Sequence, residues 1–487
     1  MRASVAVLAV VTVLTGATIA ARVPLAAHEP LWLDETVSAR IISEPTVGSA
    51  IRAVRRTESS PPGWHVLNLA IRYATGLSME HLRYLSILFS IVLTALVVAY
   101  GLSLGLPLWG AALAGSLVAL GTNFVAHGSE LRPYALLTLL SVVFALVLQR
   151  AVDEPTRRRL GVLAAVVAVG ALTHYFFLYN VGVGTLWVFV GAQRRDRVRV
   201  LAAIAAGVVP LVPWLPSFAY QYRHDLYAYT GPFEARTVVY SFARIVGVLP
   251  EHGALFALAR LAIAFLVLFG AVTLLRKGRD DATLVAAMAV VPVVLTAILW
   301  ELGPRIFNER NLLVSGPFAA LAIAAAVVAM PRSAAAVVSL ALLAALGVSL
   351  WRFEADDGRA SYNGIAQALV NQGWQPNDVV AQFGPAPLGL IRPVGWYLPG
   401  RPTLVHSSRP GCAPQLFVVS YDSTNGPAWL REHQAGIVSR REFPAYDHTP
   451  RGPRTEPAIV VAVVRERAGL ARDLVRHGAR LYTATRC

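Results

Sequence analysis

The chain opens with the long apolar run ASVAVLAVVTVLTGATIAARVPL, residues 3 to 25, and continues with LWLDETVSAR, residues 31 to 40. The first stretch has the length and apolarity of a transmembrane helix. The second places two adjacent carboxylates, Asp34 and Glu35, beside Trp32, an aromatic residue of the type found at membrane interfaces. Because acids are costly in hydrocarbon, we expect a water-facing site at the membrane surface. The alternative is that one acid only caps the following helix, and this stretch alone favours neither.

The composition is typical of a polytopic membrane protein. Of 487 residues, 56% are hydrophobic and 15% are charged, and the mean hydropathy is +0.55. These values exclude an ordinary soluble enzyme. The net charge of +15 comes from basic residues lying mainly between apolar runs, which is a topology signal, so we predict no nucleic-acid partner.

Ten further apolar runs have lengths of about 17 to 25 residues, which suit membrane spans. They lie near residues 84–104, 107–127, 131–150, 160–176, 177–192, 199–219, 254–275, 282–300, 311–330 and 334–351. We interpret residues 3–25 as a retained helix rather than a cleaved signal peptide. The prediction is an α-helical membrane domain at residues 1–351 with about eleven transmembrane helices.

The segment PPGWHVLNLAIRYATGL, residues 61–77, is short and carries polar residues. If it crossed the membrane, the basic groups at 157–159, 194–199 and 276–279 would all lie outside, against the positive-inside rule. We therefore predict a juxtamembrane helix in the interface, a cytoplasmic N-terminus and a location in the cytoplasmic membrane. The outer face would then consist of residues 26–83 (the first outer loop), 128–130, 220–253, 301–310 and everything after 351.

Unusual polar residues fall on this predicted outer face. HGSELRPY supplies Glu130, Arg132 and Tyr134 at the start of a helix. ELGPRIFNERNLL supplies Arg305 and Arg310, and two arginines near a carboxylate pair suit bidentate phosphate binding. The alternative for both segments is an interfacial anchor, with a helix-terminal acid and snorkelling arginines.

Two other groups of polar residues have weaker indications. The loop at 220–253 contains Arg223 and His224 among aromatic residues, which suits an interfacial loop without a catalytic role. His65 lies in the predicted juxtamembrane helix, where a lone histidine is usually a hydrogen-bonded interfacial residue. We keep His65, Arg223, His224 and Arg305 as candidates for substrate binding.

From about residue 352 the apolar runs shorten and Pro, Gly and charged residues become more frequent. Strand-like and helix-like patterns alternate, which predicts a small extracytoplasmic α/β domain at residues 352–487. The strands are expected at 378–383, 415–420 and 458–464, and the helices at 360–372 and 468–478. Cys412 and Cys487 both fall here, where an oxidising compartment permits a disulfide without requiring one.

Four motifs together resemble the glycosyltransferase C (GT-C) superfamily, in particular the branch of protein O-mannosyltransferases and the lipid A aminoarabinose transferase. In chain order they are L-W-L-D-E-T, S-S-P-P-G-W, E-L-R-P-Y and N-E-R-N-L-L. The resemblance covers roughly the first 350 residues in layout. It implies an inverting glycosyltransferase of the cell envelope that moves a sugar from a polyprenyl-phosphate donor to a hydroxyl of a lipid, glycan or protein acceptor, with membrane lipids as surroundings.

The resemblance also implies roles for particular residues. Asp34 would be the catalytic base and Glu35 a supporting acid. The donor phosphate would be bound by Glu130, Arg132, Tyr134 and Arg310. Relatives often have His or an acid, sometimes a metal ligand, where this chain has Ser60. We therefore predict that no metal cofactor is required, although a divalent metal remains an alternative.

The expected chemistry agrees with this interpretation. A sugar carried on a lipid phosphate needs no nucleotide-binding fold, and the chain has no Gly-rich phosphate loop. An acceptor hydroxyl is a poor nucleophile, so a carboxylate must take its proton. The alternative function is a transporter or flippase of a lipid-linked sugar. Against it, the sequence has neither an internal repeat nor paired Gly/Pro-broken helices.

The predicted topology is testable by cysteine accessibility in a Cys412→Ser/Cys487→Ser background. Asp225→Cys is expected to react with a membrane-impermeant maleimide from outside, and Arg157→Cys only after the cells are opened. Labelling of Arg157→Cys in intact cells would mean that residues 61–77 cross the membrane.

Overall fold

A computed structural model describes most of the chain, which divides into two compact units. The first comprises Met1–His28 and Ser38–Phe353, and the second comprises Glu29–Val37 and Glu354–Cys487. The described residues are 2–191, 194–224, 233–247, 254–303, 306–355, 362–383, 391–406, 416–420, 425–432, 437–443, 459–464, 470–477 and 479–483.

The membrane unit is built from α-helices with two short 3₁₀ segments, Val209–Trp214 and Asn311–Ser315. The α-helices up to the end of this part of the chain are α1 (Arg2–His28), α2 (Leu33–Ile42), α3 (Val47–Thr57), α4 (Gly63–Thr75), α5 (Met79–Ser103), α6 (Leu108–Leu120), α7 (Thr122–Gly128), α8 (Tyr134–Asp153), α9 (Arg157–Thr173), α10 (Phe177–Gly191), α11 (Arg194–Val208), α12 (Leu215–Arg223), α13 (Ala235–Ile245), α14 (Ala254–Arg276), α15 (Asp280–Glu301), α16 (Gly316–Val328) and α17 (Arg332–Ala355).

The apolar helices confirm the polytopic membrane class. Within the described residues, eight helical segments are long and apolar enough to cross a membrane, and α6 with α7 makes a ninth if this bent pair is one span. The predicted runs at 160–176 and 177–192 correspond to α9 and α10, which have 17 and 15 residues. Each predicted span therefore coincides with one helix or with consecutive helical segments.

The α6–α7 span is broken at Gly121, where the two helices meet at 54°. A Cβ at Gly121 would lie only 2.4 Å from the carbonyl oxygen of Val246, so a larger residue has no room. The fully buried Arg22 of α1 donates from Nη1 to the Ala119 carbonyl (2.7 Å) and from Nη2 to the Val118 carbonyl (3.2 Å). These carbonyls lie in the last turn of α6, where the break removes helical donors. Arg22 thus supplies hydrogen-bond donors to the last carbonyls of α6 and places a positive charge at the C-terminal end of this helix.

The predicted juxtamembrane segment at 61–77 forms the helix α4. Its first residue, Gly63, approaches the end of α9 so closely that a Cβ would lie 2.5 Å from the carbonyl oxygen of Leu172. Glycine is therefore required at this contact, which fixes the start of α4 against the membrane helices. His65 and Asn68, on the buried side of α4, are both fully enclosed.

The second unit contains a six-stranded sheet with helices on both faces. Its strands are β1 (Val379–Phe383), β2 (Val405–His406), β3 (Leu416–Ser420), β4 (Ile437–Phe443), β5 (Ile459–Val464) and β6 (Arg480–Thr483), in the order β2-β6-β1-β3-β5-β4. The helices are α18 (Tyr362–Asn371), α19 (Ile391–Tyr397), α20 (Asn425–Glu432) and α21 (Leu470–Arg476). The β1–β3 pair is parallel and the other pairs are antiparallel.

Side-chain alternation in the strands divides the core into two layers. Val380 packs with Ile365 of α18 on one face of the sheet, and Phe383 packs with Trp429 of α20 on the other. All three predicted strands and both predicted helices are confirmed. The missed strands are short or charged, since β2 has two residues, β6 has four, and β4 is the edge strand IVSRREF. Cys412 and Cys487 lie outside the described residues.

The segment Glu29–Val37 belongs to the second unit although it follows the first membrane helix in sequence. Leu31 is fully buried, and its backbone N–H donates to the hydroxyl of Tyr397 in α19. The predicted boundary at 351/352 assigned this segment to the membrane domain. In the structure it packs with residues more than 300 positions later, and it carries Asp34 and Glu35.

The contact between α14 and α16 gives a stability prediction. A Cβ at Gly270 would lie 1.8 Å from the carbonyl oxygen of Ala322, so Gly270→Ala must push the helices apart, at a cost of about 1–3 kcal/mol or more. The matched control is Gly161→Ala in α9, where a Cβ would have no neighbour within 4 Å. Thermal unfolding of the purified protein should show a lower Tm for Gly270→Ala and an unchanged or higher Tm for Gly161→Ala. Equal Tm values would contradict the close packing.

Candidate active site

A buried ion pair joins the end of α3 to the start of α8. Arg132 Nη1 donates to Glu58 Oε1 at 2.7 Å, and Nη2 donates to Glu58 Oε2 at 3.0 Å. Both side chains are less than a tenth exposed. This is the planar, two-bond arrangement that only arginine makes with a carboxylate. Glu58 itself follows α3, with its N–H bonded to the Val54 carbonyl as the helix C-cap.

Two further buried side chains complete this group. Ser38 of α2 accepts a hydrogen bond from Arg132 Nη1 at 2.9 Å, and its Oγ lies 3.4 Å from His65 Nε2. His65 of α4 lies 3.5 Å from Glu58 Oε1. We call Ser38, Glu58, His65 and Arg132 the polar cluster. The polar cluster connects α2, the end of α3, α4 and the residue just before the start of α8.

The ion pair determines the charge state of Glu58. Burial by itself would raise the pKa of this carboxyl group, but the positive charge of Arg132, with hydrogen bonding from His65 and Arg132, holds the pKa well below its usual range. Glu58 is therefore ionised, and the charge of Arg132 is balanced inside the protein. Arg132 was predicted to bind the donor phosphate, and the structure places it in this pair. Its role in phosphate binding stays a prediction.

The other predicted donor-site residues lie beside aromatic rings. Glu130 Oε2 is 3.0 Å from His127 Nδ1. The ring of Tyr134 has its centroid 4.9 Å from that of His127 and 5.8 Å from that of His174. The guanidinium of Arg310 lies 5.9 Å from the Tyr134 ring centroid, within cation–π range. The structure thus brings Glu130, Tyr134 and Arg310 together around the start of α8.

Asp34 and Glu35 occupy the first turn of α2, but their surroundings differ. Glu35 is fully buried, and its Oε2 accepts a hydrogen bond from the Trp32 N–H at 3.2 Å. This back-bond from the third helical residue is half of a capping box, so Glu35 has the structural role that the sequence left open. Asp34 is partly exposed, which suits a group that must reach a substrate. Their catalytic roles stay predictions.

Two of the substrate-binding candidates do not belong to the polar cluster. Arg223 and His224, at the end of α12, are exposed. The His224 ring stacks on Tyr220 with centroids 3.9 Å apart, and its Nδ1 lies 2.8 Å from the Tyr220 carbonyl. This agrees with an interfacial loop. Arg305 lies outside the described residues.

Glu58 and Ser38 are not among the residues predicted from the sequence. Position 60 was of interest because of the Pro-Pro pair, whereas the acid that contacts Arg132 lies two residues earlier. A signal was present, because Glu58 is the only acid between Glu44 and Glu80, a segment with four arginines. An isolated acid in a basic, partly apolar segment predicts a buried ion pair.

The polar cluster does not fit a metal ion. Glu58 and His65 would give two ligands, and the guanidinium of Arg132 already engages both oxygens of the carboxylate. Throughout the described ranges, no group of three or more His, Cys, Asp or Glu side chains is close enough to hold a metal. That no metal is required stays a prediction.

The buried pair gives a second stability prediction. Glu58→Gln leaves the Arg132 charge without its counter-ion, which typically costs about 3–5 kcal/mol when the pair is buried. The control is Glu154→Gln, because Glu154 pairs with Arg159 at 63% and 38% exposure, where about 0–1 kcal/mol is expected. At neutral pH, the free energy of unfolding should therefore fall much more for Glu58→Gln than for Glu154→Gln. Similar small losses in both variants would contradict the buried pair.

The same variants give a pH dependence. Because the folded-state pKa of Glu58 is depressed, its stabilisation is complete above the ordinary pKa of 4.5 and declines as the pH falls below that value. The Tm difference between the parent protein and Glu58→Gln should accordingly shrink in acid. A difference that grows on acidification would show that another group dominates.

Comparisons with known proteins yield a structural likeness only. No family model matches the sequence, and no curated protein matches it. Among solved structures, ArnT from Cupriavidus metallidurans in the apo state is similar with a TM-score of 0.57 at 12% identity, over 95% of this chain and 98% of that chain. The same protein bound to undecaprenyl phosphate gives a TM-score of 0.55 at 12% identity, over 94% and 97%. The chain therefore has an ArnT-like fold.

Proposed function

We propose that this protein is an inverting glycosyltransferase that takes its sugar from a polyprenyl-phosphate donor at the outer face of the cytoplasmic membrane. The observation that carries the proposal is the extent of the fold likeness, which covers 95% of this chain and 98% of the ArnT chain. It therefore includes the C-terminal unit as well as the membrane helices. One of the similar structures holds undecaprenyl phosphate, which supports a polyprenyl lipid as the donor carrier.

The surroundings of Arg310 and Arg132 suggest a division of roles at the donor phosphate. Arg310 is partly exposed, and its guanidinium lies 5.9 Å from the Tyr134 ring centroid, so a phosphate beside Tyr134 is within its reach. Arg132 is buried, and Glu58 balances its charge. We assign phosphate binding to Arg310. The Arg132–Glu58 pair then positions the start of α8, which carries Tyr134.

The proposed reaction needs one base. Asp34 takes the proton of the acceptor hydroxyl while that oxygen forms a bond to the anomeric carbon of the sugar. The bond from the anomeric carbon to the phosphate oxygen breaks at the same time, and its electron pair leaves with the polyprenyl phosphate. Attack opposite the leaving group inverts the anomeric centre. No second acid is required, because the phosphate leaves as a stabilised anion, unlike the leaving alcohol of a glycosidase.

The central test is Asp34→Asn in the purified full-length protein. Loss of a general base typically costs about 100- to 10,000-fold in rate. Sugar transfer would be measured with a panel of radiolabelled undecaprenyl-phosphate sugars and a membrane extract as the acceptor source. Near-parent transfer by a folded Asp34→Asn protein would remove Asp34 as the base. Movement of the donor across vesicles without transfer would support the flippase alternative.

Glu35→Gln serves as a matched control in the same assay. The amide oxygen of glutamine can still accept the bond from Trp32, so the helix start is kept while the negative charge is lost. We expect this variant to retain most of the activity. Equal inactivation of both variants would mean that Glu35 takes part in the chemistry.

Donor binding is tested with Arg310→Lys. Lysine keeps the charge but loses the planar fork, and a lost charge-assisted hydrogen bond costs roughly 1.5–3 kcal/mol, or about 10- to 150-fold in affinity. The apparent KM for the lipid donor should rise by that factor, with a smaller effect on acceptor use. Arg332→Lys is the control, since Arg332 is exposed at the start of α17 and is not a candidate for substrate binding. An unchanged KM in Arg310→Lys would make Arg310 an anchor.

A further inference from the structure

A positively charged cleft lies between α3 and α12, and none of its lining residues belongs to the polar cluster. Arg52, Arg55 and Arg56 of α3 line a cavity of about 220 Å³ together with Tyr220 of α12. We call these four residues the basic cleft. We infer that the basic cleft binds a phosphate group, as a site additional to the proposed donor-phosphate site.

The local sequence turns these arginines towards the cleft. A reciprocal capping box between Thr46 and Ser49 fixes the start of α3. Ala50 and Val54, four residues apart, form the fully buried face of the helix, whereas all three arginines are exposed. Basic helices with one apolar face commonly lie at membrane surfaces.

Buried hydrogen bonds hold the second wall of the cleft in place. The fully buried Gln221, next to Tyr220, donates from Nε2 to the carbonyl oxygens of Val54 and Ser60, both at 3.2 Å. Its Oε1 accepts from the hydroxyl of Tyr175 at 2.7 Å. The backbone at the C-terminal end of α3 is thus hydrogen-bonded to α12, so the two walls of the cleft are held together by the protein itself.

The side chains suit a phosphate. The Arg55 guanidinium lies 4.7 Å from the Tyr220 ring centroid, a cation–π contact that orients its remaining donors. Guanidinium groups bind phosphate oxygens through paired hydrogen bonds. Of the ion pairs formed within the described part of the chain, none includes Arg52, Arg55 or Arg56. Unlike Arg132, these arginines keep their positive charge for a ligand.

The alternative to a binding site is an ordinary solvent-exposed basic helix face, which is common on protein surfaces. It does not account for the cavity, the oriented Arg55 or the buried Gln221 that fixes the second wall. The volume also limits the ligand, because it is below the roughly 300–1,000 Å³ of pockets that enclose drug-sized molecules. A single phosphate group fits this volume, and it could belong to the headgroup of an anionic lipid or be a free phosphate ion.

The test compares the full-length parent protein in detergent with Arg52→Gln/Arg55→Gln/Arg56→Gln. The probes are dihexanoylphosphatidylglycerol, dihexanoylphosphatidylcholine and inorganic phosphate, and binding is measured by calorimetry at two salt concentrations. The parent should bind at least one anionic probe, more weakly at high salt. The triple variant should bind it at least about tenfold more weakly, since several charge-assisted bonds are lost. Because the three side chains are exposed, glutamine is expected to leave the fold unchanged.

The matched control is Arg157→Gln/Arg158→Gln/Arg276→Gln, which removes the same charge from exposed positions elsewhere. Loss of phosphatidylglycerol binding only in the cleft variant supports a lipid headgroup site, and loss of inorganic phosphate binding supports a free-phosphate site. The inference is overturned if the parent binds neither anion, if the cleft variant binds as the parent does, or if the control loses as much. Asp34→Asn should bind these probes normally, so this result is independent of the proposed transfer activity.

Discussion

The forked ion pair between Arg132 and Glu58 is the interaction on which the proposed site depends. Removing both charges from water is costly, and the cost is offset only when the geometry is good and the remaining donors are satisfied. Here Ser38 accepts a further hydrogen bond from Arg132, and His65 lies 3.5 Å from Glu58. The pair therefore fixes the end of α3 against the start of α8, because a shift of either one would leave a charge without its partner.

A related constraint shapes the membrane helices. Backbone groups in hydrocarbon must find partners inside the protein, so a broken span requires a donor at the break. Arg22 provides it to α6 from the neighbouring helix α1. The break at Gly121 then determines the direction of α7, whose residue His127 packs against the Tyr134 ring. A buried arginine in the first span thus contributes to the geometry of the candidate site without belonging to it.

The sequence was sufficient for the membrane fold and for part of the site. Apolar run length determines where helices form in a bilayer, so the predicted spans agree with the structure, and Glu130, Tyr134 and Arg310 do lie together. The isolated position of Glu58 indicated a buried ion pair, but its partner could not be predicted, because Arg132 is 74 positions away and neither residue has a periodic signal. The strands β4 and β6 were missed for a similar reason, since their charged or short sequences become strands only through neighbouring strands.

The bond between Leu31 and Tyr397 has a consequence for the order of folding. The two residues are 366 positions apart. At a synthesis rate of about 5–20 residues per second, roughly 20 to 70 seconds pass between the appearance of the first residue and that of the second. During this interval the segment with Asp34 has no Tyr397 to pack against, although the first helix has already been made. The proposed base thus reaches its final packing late in synthesis, after α1 to α17 have all been made.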